Sequence, residues 1–494
     1  MIIGFDNDKY LKMQSEHILE RISKFGGKLY LEFGGKLFDD YHASRVLPGF
    51  HPDSKITMLK ELRDQAEIVI AINSADIEKN KVRGDLGITY DMDVLRLADA
   101  FRGEGLTVGS VVLTRFTEQP AAIAYEKKLK ALGMKVYRHY PITGYPSDIP
   151  LIVSEEGFGR NDYIETTHPL VVVTAPGPGS GKMATCLSQL YHEHKRGVDA
   201  GYAKFETFPI WNLPLSHPVN LAYEAATADL DDVNMIDPFH LEAYGETVVN
   251  YNRDVEVFPV LNAIFEKISG SSPYKSPTDM GVNMAGNCIF DDNAVRKAAN
   301  GEIIRRYYQA ECEMRKGNAG ESPVRKIELL MKKAGISSSD RAVVAAANIR
   351  AEQTGGPAAA MEMPDGTILT GRTTELLGAA SALLLNALKY LAGIDDPAKL
   401  LPPTFIEPVM EMKRTALGGD ADSLLHLNEI LIALSIAAVT DERAARALAA
   451  APQLAGLEAH SSVILAQIDE GVFKKLGVNL TCEPRYESSK LYHK

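Results

Sequence analysis

The chain has 494 residues, more than one hydrophobic core usually fills, so two or three domains are expected. Its 45% hydrophobic content is that of an ordinary globular protein. The formal net charge of −12 argues against nucleic acid and against an anionic membrane as partners, because both are held through basic groups.

MIIGFDNDKYLKMQSEHILE has no basic start followed by an apolar block, so no signal peptide is expected. Cys186, Cys288, Cys312 and Cys482 show no CxxC spacing, which speaks against a zinc or redox motif. With no export signal and few cysteines, a reducing cytoplasm is the expected location. A homo-oligomer is left open.

Strand-like and helix-like runs alternate through the first part. KLYLEF (28–33), EIVIAIN (67–73), TVGSVVLTRF (107–116) and PLVVVTAP read as strands, with KVYRHYPITGYP before the last of them. MLKELRDQA, VLRLADAFRGEG and AIAYEKKLKALG read as the helices between them. GYAKFETF and DVNMIDPF look like two further strands. Continuous β-branched runs between amphipathic helices imply a mostly parallel sheet covered on both faces. The first domain is therefore placed at 1–239.

From 240 to 335 the chain reads as mainly helical, with an irregular insert, YKSPTDMGVNMAGNC (274–288). Asp291 or Asp292 suits the N-cap of DDNAVRKAANGEIIRRYYQAECEMRKG, and Gly335 the stop of SPVRKIELLMKKAG. A last α/β domain, 336–494, opens with a helix after Ser339-Asp340. GGPAAAMEMPDGTILTGR then reads as a hairpin about a Pro-Asp-Gly turn. Helices are expected at 376–394, at LLHLNEILIALSIAAV and at DERAARALAAA, and late strands at SSVILAQI and GVNLTC.

TAPGPGSGKMATCL, residues 174–187, carries the most specific chemistry. In a GxxxxGK[ST] loop, glycines let backbone N–H groups converge on phosphate, a lysine neutralises charge, and a hydroxyl binds magnesium. Here a strand precedes Gly177, Gly179, Ser180, Gly181 and Lys182, and an amphipathic helix follows. Two letters depart: Pro176 replaces the first glycine, and Met183 replaces the hydroxyl residue. Ser180 or Thr185 is the available substitute. Two readings stand, a phosphate or nucleotide site, and a glycine-rich turn with a solvated lysine.

Asp237 ends the apolar run DVNMI, where such sheets place a magnesium-binding acid. Lys204 and His240 are expected at the same sheet edge. Tyr274, Lys275, Ser276, Thr278 and Asp279 would supply substrate contacts from the insert. The expected cofactors are ATP and magnesium. HEH at 192–194 lacks the i, i+4 spacing of HExxH, and Arg372 to Thr374 at a helix start forms an anion site only in principle.

VVVTAPGPGSGKMATCLSQLYHE, SPYKSPTDMGVNMAG, TGGPAAAMEMPDGTILTGRTTELLGA and LGVNLTCEP resemble, over nearly the whole chain, a bacterial family of uncharacterised conserved proteins. Some members carry the label ATP-dependent zinc protease, which nothing in these residues supports. The resemblance implies an α/β fold with a helical insert. It also implies a C-terminal domain of cytidine-deaminase-like element order, in which LLGAASALLL stands where zinc ligands would lie. The function read from all this is binding of a nucleotide or phosphorylated small molecule at 176–183, with ATP-dependent phosphoryl transfer or ligation as its catalytic form. A non-catalytic phosphate-binding regulator or scaffold is the alternative.

Overall fold

The computed structural model describes residues 3–35, 37–38, 40–83, 86–230, 232–395, 399–416 and 424–487. They divide into two compact units, Ile2–Glu224 with Asp231–Ala299, and Ala225–Leu230 with Asn300–Lys494. Residues 240–335, read from sequence as one helical region, are thus shared between the two units.

The first unit is built on a seven-stranded sheet, all parallel. Its spatial order is Gly281–Val282, Gly201–Phe205, Leu29–Phe33, Leu170–Thr174, Ala66–Asn73, Thr107–Thr114 and Lys135–Arg138. Val69, Ala71, Val112, Val171 and Val173 point to one face. There they meet Cys186, Leu187 and Leu190 of the helix Lys182–Lys195, and Phe258, Leu261, Ile264 and Phe265 of the helix Asn252–Ser269. Ile68, Ile70 and Ile72 alternate to the other face and are equally buried. A strand buried on both faces needs apolar residues at every position, which explains the unbroken VVV and IVI runs.

The N-terminal helix Asn7–Lys24 is not evident from the opening segment's composition. Asp6 caps it by accepting from Lys9 N at 2.9 Å, and Tyr10, Leu11, Ile18 and Ile22 form its buried stripe.

Three sequence expectations fail. The run DVNMI gives Asn234–Ile236, which pairs antiparallel with Val249–Tyr251 in a separate two-stranded sheet. SSVILAQI is not a strand beyond its first residue; the strand is Glu458–Ser461. The helix expected near Arg372 starts at Ala379, because Arg372 still belongs to the strand Ile368–Arg372. Thr374 then makes a turn with Leu377, so no helix N-terminus stands at the arginine.

In the second unit four strands lie in the order Ile368–Arg372, Ala358–Glu362, Glu458–Ser461 and Asn479–Cys482. The hairpin turns at Pro364-Asp365-Gly366, with Thr367 N donating to Asp365 Oδ1 at 3.0 Å and Gly366 at φ 86°. Helices Ala342–Thr354, Ala379–Leu391, Leu427–Ala437 and Gln467–Lys475 accompany this sheet. Leu383, Leu384, Leu388, Ile430, Leu434 and Phe473 lie in its core. No helix among the described residues is long and apolar enough to cross a membrane.

Candidate functional site

The strand Leu170–Thr174 sits fourth of seven, and the glycine loop leaves its carboxyl end. On that side of an open parallel sheet ligands bind. The turn into the helix depends on Gly181, which holds φ 87° as the residue before Lys182. Gly177 meets a different demand: a Cβ there would stand 2.3 Å from the Tyr90 hydroxyl. Gly177→Ala should therefore cost about 1–3 kcal/mol by overpacking. Thermal denaturation checks this, with Tyr90→Ala expected to restore much of the loss.

Side chains hold the loop's carbonyls. Ser180 Oγ donates to Gly177 O at 2.8 Å, and Asn73 Nδ2 reaches Gly179 O at 3.4 Å. Thr114 Oγ1 donates to Ser180 O at 2.7 Å, and Thr185 Oγ1 to Gly181 O at 2.9 Å. Asn73 ends the neighbouring strand Ala66–Asn73, and Thr114 ends Thr107–Thr114, the strand beyond it. In contrast, the backbone N–H groups of Gly179, Ser180, Gly181, Lys182, Met183 and Ala184 have no acceptor among the described residues. Lys182 likewise makes no ion pair or side-chain hydrogen bond among them, and is half-buried.

The magnesium arrangement expected from sequence does not form. Ser180 and Thr185 are fully buried, their hydroxyl protons on loop carbonyls, and Met183 offers no oxygen. Asp237 lies in the separate sheet and caps the helix Pro238–Tyr244, accepting from Phe239 N and His240 N at 3.0 Å each and from Thr278 Oγ1 at 2.7 Å. No group of three or more His, Cys, Asp or Glu able to hold a metal occurs among the described residues.

The insert residues come together with Asp237, away from the glycine loop. Ser276 Oγ lies 2.9 Å from His240 Nδ1 and accepts from Asp279 N at 3.1 Å, while Asp279 accepts from Lys275 N at 2.8 Å. Tyr274 is buried, its hydroxyl on the Tyr202 backbone. Lys275 alone is exposed, over the Tyr244 ring. This segment leads into Gly281–Val282, the sheet edge three positions from Leu170–Thr174, or about 14 Å at the usual strand spacing. These side chains build local structure and do not line the loop.

Lys204 is not an open contact either. Buried at the end of its strand, its ammonium touches Asp254, Glu206 (2.8 Å) and the Tyr251 hydroxyl. Burial opposes its charge, but Asp254 and Glu206 outweigh this and raise its pKa. Burial, with Asp254 adding, pushes Glu206 up to about 8 against the pull of Lys204. Sequence reading missed this cluster, and it missed Glu32 in KLYLEF. A lone acid in an apolar strand was the available signal.

Fold and site define an α/β protein whose parallel sheet presents a glycine loop with unused N–H donors at its carboxyl edge. Residues 3–335 match the model of the domain of unknown function DUF1846, N-terminal, and residues 339–492 that of DUF1846, C-terminal. The chain belongs to this family. It is 58% identical over 492 residues to a UPF0371 protein of Streptococcus pyogenes serotype M5, covering 100% of this chain and 99% of the relative. Identity to a UPF0371 protein of Corynebacterium urealyticum is 58% over 493 residues, with the same coverage.

Proposed function

We propose that this protein binds the phosphate group of a small molecule, nucleotides included, on the backbone from Gly179 to Ala184. One observation carries the reading. Side chains hold four loop carbonyls, at Gly177, Gly179, Ser180 and Gly181, while the N–H groups from Gly179 to Ala184 have no protein acceptor among the described residues. Such donors, with the positive end of a 14-residue helix and a lysine that makes no ion pair among the described residues, favour an anion. The buried hydroxyls of Ser180 and Thr185 favour ligand binding over magnesium-assisted hydrolysis of the P-loop kind. Catalytic phosphoryl transfer is the second reading. It draws on Glu206, which holds a proton at neutral pH at the carboxyl end of a neighbouring part of the same sheet. In the C-terminal unit, the order helix, hairpin, helix supports a deaminase-like architecture without zinc chemistry.

ATP and inorganic pyrophosphate, each with and without magnesium, should raise the melting temperature of the wild type. A hundredfold excess over Kd corresponds to about 2.7 kcal/mol of linked stabilisation. Lys182→Ala should remove most of that shift and leave the unliganded melting temperature within about a degree. Equal shifts in both proteins would overturn the proposal. Phosphate release that needs magnesium and is lost in Lys182→Ala would favour the catalytic reading.

A further inference from the structure

The carboxylate of Glu32 stands beside this cradle, and its surroundings specify what else the ligand carries. Glu32 is the register partner of Val173, two residues before the loop begins, so the two backbones lie one strand spacing apart. It shares a sheet face with Tyr30, whose hydroxyl donates to Glu193 of the helix Lys182–Lys195 at 2.6 Å. The side chain therefore lies on the side covered by that helix. Its charge acts on the Cys186 thiol, in the second turn, and Lys182 opposes it at the same thiol. The Glu32 charge also acts on the Tyr145 hydroxyl, where Arg115 opposes it.

Glu32 is 8% exposed. Oε2 accepts from the Tyr202 hydroxyl at 2.7 Å. Oε1 has no donor among the described residues, yet it is not one of the sealed atoms left without a partner, so it opens to solvent. Arg115 follows Thr114, the residue that holds Ser180 O, and it too makes no ion pair among the described residues. Lys182 and Arg115, neither with an ion pair among the described residues, thus accompany the free N–H groups together with a nine-tenths-buried carboxylate whose charge also supports the Lys204 ammonium on the next strand.

We infer that the ligand is a phosphorylated polyol, of the ribose phosphate or hexose phosphate class, whose phosphate lies on Gly179 to Lys182 and whose hydroxyl donates to Glu32 Oε1. The inference rests on the phosphate reading above. A bare phosphate would leave Glu32 unused. A divalent cation needs six or more oxygens. Glu32 offers one, and the hydroxyls of Ser180 and Thr185 are buried with their protons on loop carbonyls. A neutral hydroxyl needs one acceptor, and a charged acceptor makes the stronger bond.

Isothermal titration in EDTA tests this with ribose 5-phosphate and inorganic phosphate as probes. Ribose 5-phosphate should bind the wild type at least tenfold more tightly than inorganic phosphate. Glu32→Gln should remove most of that advantage and leave inorganic phosphate binding within about twofold. No advantage in the wild type, or an advantage that appears only when magnesium replaces EDTA, would overturn the polyol assignment while leaving phosphate binding intact. Failure of both probes would overturn it together with the phosphate reading. The wild-type comparison decides the matter even where Glu32→Gln proves unstable.

Discussion

Lys204→Met is expected to destabilise the first unit by about 3–5 kcal/mol, the usual consequence of removing one partner from a buried ion cluster. Its ammonium is the cation directly between Asp254 and Glu206, and all three side chains are buried. Methionine fills much of the same volume, so the loss reports the charge left on Asp254 and not a cavity. Asp254→Asn added to Lys204→Met should recover part of the stability, because it removes the carboxylate stranded beside the protonated Glu206. Urea denaturation of the three proteins measures this. A loss under about 1 kcal/mol for the single variant would mean that water, and not Lys204, satisfies the acids.

A second expected result is a fall in stability as pH rises from about 4.5 to about 8, traceable to Glu206. Its pKa is raised from the ordinary 4.5 to about 8, first by burial and then by Asp254. Within that window the folded protein keeps a proton that the unfolded chain has released. The folded state therefore binds more protons, and stability declines with rising pH. The stabilisation is complete below about 4.5 and gone above about 8, with a limiting slope of about 1.4 kcal/mol per pH unit from this one group. Glu206→Gln cannot titrate and should flatten that component. Identical pH profiles for wild type and variant would assign the proton elsewhere. The raised pKa of Lys204 keeps the ammonium charged throughout the same range.

Burial on both faces made the central strands legible. PLVVVTA and EIVIAIN read as strands because a two-sided sheet tolerates little else. The helix after Gly181 was legible from the spacing of Cys186, Leu187 and Leu190. DVNMI carries the same local signal as a core strand, and only its partner shows otherwise. Pairing with Val249–Tyr251 sends it into a hairpin, and Asp237 becomes a helix cap. A strand's propensity says nothing about which strand it joins. The insert at 274–288 misled for a related reason. Its dense hydrogen-bonding groups serve Asp237, His240 and one another, local demands that look the same in sequence as a binding loop.

By itself the sequence determined the two α/β portions, the parallel character of the larger sheet and the strand–glycine loop–helix unit. Each follows from local periodicity or from residue types that a chemistry cannot do without. Only the tertiary structure decided which acids stand near the loop. Strand order, not chain distance, brings Leu29–Phe33 and its Glu32 beside Leu170–Thr174 across about 140 intervening residues. It likewise decided that Lys204 is buried in ion pairs, since Asp254 comes from a helix about 50 residues further on. Side chains that meet through non-local pairing leave no spacing in the sequence by which to find them.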